Sequence, residues 1–156
     1  MQPMWQVREI IALAMLAICA YTDIKEKNIY VMPLLICSAG AVALSVTSFV
    51  FSAGHDRMIL VNEIVIPAVA GLVIIVFMKQ FRKHMGEGDA YLMAALCLII
   101  GIRYDLYTIT AGMILASTYA VSVLIARCVR KKRRLKNIPF APFVMSGYIL
   151  VLINGI

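Results

Sequence analysis

Apolar runs of bilayer-crossing length recur along this chain, and no other feature restricts its fold so strongly. A helix needs about 20 apolar residues to cross a hydrocarbon core of about 30 Å. Lipid offers no partner for backbone N–H and C=O groups, so such runs must be helical. Read in order, they predict spans over about Ile10–Thr22 (from Val7 if Arg8 and Glu9 reach the headgroups), Ile29–Phe51 and Met58–Met78. A short fourth run, Ala90–Ile102, is extended by Gly88 and Asp89; Leu106–Ala126 and Asn137–Ile156 follow. Arg103-Tyr104-Asp105 reads as the turn between the fourth and fifth. Pro67 and Gly71 are tolerated inside a span and can bend it. The expected fold is all-α, one polytopic membrane domain over residues 1–156 with about six transmembrane helices. Composition agrees, because 63% of the 156 residues are hydrophobic and only 15% charged, too little charge for a soluble domain.

The basic residues orient the spans. Lys25 and Lys27, then Lys79, Arg82 and Lys83, then seven residues between Arg127 and Lys136 occupy alternate connections. The opposite connections and the N-terminus hold only Arg8, Arg57 and Arg103. Basic loops stay in the cytoplasm, so both termini are expected outside. This bias accounts for the net charge of +7 without a nucleic-acid partner. The Arg127–Lys136 cluster suits phospholipid headgroups, and Trp5 suits the interface. Cys19, Cys37, Cys97 and Cys128 are scattered, without a CxxC pair or zinc spacing, and read as small apolar packers. Ile18 before Cys19 and the lack of a preceding basic cluster argue against a removed leader.

Against this background two aspartates stand out. Asp89 follows Gly86-Glu87-Gly88 and opens the fourth run, while Asp23 closes the first. A carboxylate at the centre of a spanning helix costs roughly 2.5–3.5 kcal/mol, and less near the interface, so one placed there is a functional candidate. The topology sets both at cytoplasmic helix ends, although they lie 66 positions apart. Asp56 and Asp105 fall in outer turns, Glu9 and Glu63 near outer ends. Two adjacent carboxylates share a proton, one serving as base toward water and the other as acid, which permits peptide hydrolysis without metal or cofactor. His55 and His84 fall on opposite sides, so no serine triad or zinc set assembles. Gly86 and Gly88 allow close backbone approach. A plainer reading makes Asp89 a helix cap and Asp23 the end of a span.

Three segments in order carry a resemblance. Gly86-Glu87-Gly88-Asp89-Ala90-Tyr91-Leu92, Asp23-Ile24-Lys25-Glu26-Lys27-Asn28-Ile29 and Ile138-Pro139-Phe140-Ala141-Pro142-Phe143 resemble the motifs of the type IV prepilin peptidases, GxGD membrane aspartic proteases. Two departures are visible: Tyr30-Val31 stands where the family usually has Pro-Asn, and Ala141 replaces a usual Gly. The resemblance implies catalytic roles for Asp23 and Asp89 and supporting roles for Gly86, Gly88, Pro139 and Pro142. It implies as substrate a prepilin or pseudopilin, cut after a glycine of its short basic leader at the cytoplasmic face of the cell membrane. Glu26 and Glu87 are placed to attract that leader, although each also fits a solvated face. The turn after Asp23 is too short for the cysteine-rich insertion of larger members, so the short, peptidase-only form without methyltransferase activity is expected. Two alternatives stay open: a presenilin-like protease, whose Tyr-Asp pair is matched poorly because Thr22 separates Tyr21 from Asp23, and a non-catalytic scaffold or carrier in a secretion assembly.

Overall fold

The computed structural model describes residues 2–26, 29–51, 61–80, 87–130 and 139–154. Among them are six α-helices and no strand: α1 (Gln2–Glu26), α2 (Val31–Phe51), α3 (Ile66–Gln80), α4 (Glu87–Ile100), α5 (Ile102–Arg130) and α6 (Ala141–Asn154). One π-helical turn, Val61–Val65, leads into α3. It immediately precedes Ile66-Pro67, where the proline has no N–H to donate back into the preceding turn; a widened turn is one way a helix accommodates that gap. The expected turn Ser52–Arg57, the loop carrying Arg82 and Lys83, and residues 131–136 of the last basic cluster lie outside the described residues.

Small and apolar residues make α4 the centre of the bundle. It contacts α1, α2, α3 and α5, and Ala90, Leu92, Met93, Ala94, Ala95, Leu96, Cys97, Ile99 and Ile100 are all buried. Its alanines let neighbours come close: a Cβ on Gly71 of α3 would stand 3.3 Å from the Ala94 carbonyl oxygen. The outer helices turn large apolar side chains outward, with Ile10, Met32, Ile36 and Ile153 each more than 65% exposed. Meanwhile Arg8, Asp23, Ser45, Asp105 and Thr108 are buried. Apolar outside with polar inside suits a chain solvated by lipid. By length and composition alone, one described helix, Ile102–Ala126, is long and apolar enough to cross a membrane; four other apolar helices are shorter.

Several boundaries differ from the sequence reading. The first helix continues past Asp23 to Glu26. The turn at Arg103-Tyr104-Asp105 does not exist, because α4 and α5 are joined by the single residue Gly101. At φ 81° Gly101 takes a left-handed conformation that costs glycine little. Its N–H bonds the Cys97 carbonyl at 3.0 Å and its carbonyl accepts the Asp105 N–H at 3.1 Å, so it ends one helix and begins the next. Asp105 consequently lies inside the first turn of α5 and is 1% exposed. Arg8, expected at the headgroups, is also buried. Its Nη2 donates to Ser45 Oγ and, at 2.7 Å, to Glu63 Oε2, tying α1 to α2 and the π-helical turn. Pairing of this kind is how a buried cation is tolerated.

The helices α5 and α6 meet through glycines. A Cβ on Gly147 would stand 2.6 Å from the Gly112 nitrogen and 2.7 Å from the Thr108 carbonyl oxygen. The obstacles are backbone atoms, so the helices themselves must separate to admit a side chain; such small-residue seams replace the hydrophobic driving force that lipid removes. Gly147→Val is expected to destabilise the bundle by about 1–3 kcal/mol through overpacking. Gly40→Ala, where a Cβ meets nothing within 4 Å, is expected to be neutral or stabilising by about 0.5–1 kcal/mol. Thermal unfolding of both variants in detergent checks the contrast.

Candidate active site

Three helix ends converge, and the unpaired backbone donors of one of them explain why. The first N–H groups of any helix lack partners within it. In α6, Phe140 acts as the cap: its carbonyl accepts the N–H of Phe143 at 3.0 Å and of Val144 at 3.3 Å. Pro142 has no N–H to satisfy, as suits a proline in a first turn. That leaves Ala141, whose N–H donates to Asp23 Oδ2 at 3.0 Å across 118 positions. Asp23 sits in the last turn of α1, buried at 8% exposure. A carboxylate from the first helix therefore completes the start of the last, where a helix N-terminus favours negative charge.

Asp89 enters from the central helix. It is the third residue of α4, half-buried, in the turn where the helix dipole favours a carboxylate. Asp89 thus stands at the start of α4, and Asp23 at the end of α1. What brings them near is the contact beside them. A Cβ on Gly88 would stand 2.8 Å from the Ile29 Cβ, closer than side chains pack, so α4 meets the corner after α1 only because residue 88 has no side chain. On the third side, Phe140 packs against the buried pair Ala90 and Met93, which sets the start of α6 beside the first turns of α4.

The remaining candidates are placed as follows. Pro139 is half-buried directly before α6, and Pro142 is its second residue. Glu26 is exposed at the end of α1 and accepts a hydrogen bond from the Tyr30 hydroxyl. Glu87 is the first residue of α4, and Gly86, His55 and His84 lie outside the described residues. Lys25 lies 5.7 Å over the Tyr21 ring. Sequence reasoning missed the Ala141 N–H, the inward packing of Ile29 and the Tyr30–Glu26 contact. The first was detectable in principle, because Pro139-Phe140-Ala141-Pro142 spells a helix start with one donor left over. The other two depend on how the corner folds and left no sequence signal.

Chemically, the arrangement offers two carboxylates from different helices at one end of a bundle, one anchored by a backbone donor. Among the described residues no group of three or more His, Cys, Asp or Glu side chains gathers as a metal set.

Comparison with known proteins agrees with the family resemblance. A family model described as the type IV leader peptidase family matches residues 10–121, a stretch that includes Asp23, Gly88 and Asp89. Neither the curated proteins nor the solved structures contain a significant match.

The capping bond separates two ways of removing the Asp23 charge. Asp23→Asn keeps an oxygen that accepts the Ala141 N–H, so it is expected to unfold within about 1 kcal/mol of the native protein. Asp23→Leu leaves that buried donor unpaired and is expected to cost about 1–3 kcal/mol more than Asn. Equal melting of the two variants in detergent would show that the bond contributes nothing.

Proposed function

Because this chain belongs to the type IV leader peptidase family, a family of membrane-embedded peptidases, we propose that it removes the leader from prepilin-like precursors. In this reading it is the short, peptidase-only form, and Asp23 and Asp89 are its catalytic pair. The substrate is a pilin or pseudopilin precursor with a short basic leader and one hydrophobic helix. Cleavage follows a leader glycine at the cytoplasmic face of the cell membrane, the face assigned by the basic residues Lys25, Lys79 and Arg82. The single observation that supports the pair most directly is the close approach of Gly88, the residue before Asp89, to Ile29 in the segment that follows Asp23.

The chemistry is that of a shared proton. With Oδ2 of Asp23 engaged by the Ala141 N–H, we assign its other oxygen to the water. Asp23 takes a proton from that water as its oxygen adds to the scissile carbonyl carbon, and protonated Asp89 gives its proton to the carbonyl oxygen. When the tetrahedral intermediate collapses, the C–N bond breaks, the leaving amine takes the proton held by Asp23, and a hydroxyl of the intermediate returns its proton to Asp89 as the new carboxyl group forms. One water is consumed, and neither carboxylate is changed over the cycle. Burial of Asp23 and half-burial of Asp89 strengthen these transfers, because charges interact more strongly away from water.

One observation favours a second reading. The bond from Ala141 gives Asp23 a sufficient structural reason to exist, so a catalytically silent scaffold could retain both aspartates as caps. The two readings separate on Asp→Asn substitution, which preserves capping. Co-expression with a prepilin from the same locus is expected to give a leader-shortened product on gels. Asp23→Asn and Asp89→Asn are each expected to slow cleavage by roughly 10²–10⁴-fold, the usual worth of a positioned acid or base, at native membrane levels. Normal cleavage by either variant would assign that aspartate to the fold alone.

A further inference from the structure

Beside the two aspartates lies a contact that no proton transfer uses. Ile29 is the sixth residue after Asp23 and is 8% exposed, a member of the main apolar core with Leu16, Cys19 and Leu92. Its partner across the gap is Gly88, the residue immediately before Asp89. A Cβ on Gly88 would stand 2.8 Å from Ile29 Cβ, 3.4 Å from Cγ1 and 3.5 Å from Cδ1. The nearest of these is the Ile29 Cβ, which is fixed to the backbone and cannot swing away by changing rotamer. The start of α4 and the corner after α1 are thus in direct contact, with Asp23 a few residues along one side and Asp89 next along the other.

A second contact flanks Ile29. The Tyr30 hydroxyl donates to Glu26 across the end of α1, and this is the position where the chain departs from the Pro-Asn of the resembling family. Tyr30 is exposed on the outside of the corner while Ile29 is buried on the inside.

We propose that Ile29 is a positioning residue: its side chain, seated against the bare backbone of Gly88, sets the separation of Asp23 and Asp89. This rests on the reading of those aspartates as the catalytic pair. Thickening the contact forces α4 away from the corner and carries Asp89 with it; thinning it lets the two ends move. Proton transfer through a bound water depends steeply on that spacing, since a misplacement of about 1 Å can cost on the order of 10²-fold in rate. The spacing of the pair bears on an interaction made only in the transition state, so the effect belongs in kcat and leaves KM unchanged.

The test uses the full chain in membranes with the same prepilin, measuring kcat, KM and membrane level for Gly88→Ala, Ile29→Gly, the double variant and Ile29→Ala. Gly88→Ala is expected to lower kcat at least tenfold with KM within twofold of native. Adding Ile29→Gly, which removes the opposing Cβ, is expected to restore at least threefold of that kcat. Ile29→Ala keeps the Cβ but loses the rest of the side chain, and is expected to lower kcat at unchanged KM; it decides the matter if Gly88→Ala fails to accumulate. A native kcat in both Gly88→Ala and Ile29→Ala, a change confined to KM, or a double variant no faster than Gly88→Ala would overturn the proposal. If the Asp→Asn variants are inactive while these variants cleave normally, only the spacing role fails. If the Asp→Asn variants cleave normally, the catalytic reading fails and the spacing role with it.

Discussion

The hydrogen bond from the Ala141 N–H to Asp23 joins the end of the first helix to the beginning of the last, and much of the molecule is arranged around that closure. Lipid supplies no hydrogen bonds, so a helix start buried in a bundle must find its acceptor inside the protein. Here the acceptor is charged, and its negative charge also suits the dipole of the helix it completes. The same carboxylate therefore satisfies a structural need at the place where the proposed pair is assembled. With α1 and α6 fixed to each other, α4 comes in between α1, α2, α3 and α5, and the second carboxylate arrives on its first turn.

The opposite end of the bundle is held by different means. Arg8 reaches Ser45 and Glu63, and the Tyr148 hydroxyl donates to the Glu9 carbonyl at 3.4 Å. Both contacts tie the early region of α1 to later helices. The central helix has 14 residues, about 21 Å of length at 1.5 Å per residue, against a hydrocarbon core of about 30 Å. Its neighbours surround it along that length, so it is packed by protein rather than by lipid.

Hydropathy made the helices legible and left their joints obscure. The fourth run stood out as short before any fold was known, and its alanines are the mark of a helix packed on several sides. Asp23, Asp89 and the proline segment were legible because each breaks an apolar run with a residue type that such runs avoid. The joint at Gly101 was not, because Arg103 and Asp105 suggested a solvated turn while a single glycine sufficed. Charge is a guide to water only when the charge is exposed, and Asp105 and Arg8 are not. Ile29 was invisible for the opposite reason: an isoleucine among apolar residues carries no signal until the residue facing it is known to be a glycine.

Gly147 and Gly88 both sit where a side chain has no room, yet they leave different freedom to the lineage of this chain. Around Gly147 the crowding atoms belong to the backbone of Gly112 and Thr108, which no exchange of side chains can remove. A descendant that loses that glycine must push a pair of helices apart. Around Gly88 the crowding atoms belong to the Ile29 side chain, so the missing methyl can sit on either side of the contact. Glycine can migrate from 88 to 29 in two steps, and the first step determines whether the intermediate is overfilled or hollow. The α5–α6 seam is therefore frozen in sequence, whereas the corner beside the carboxylates can drift only as a pair.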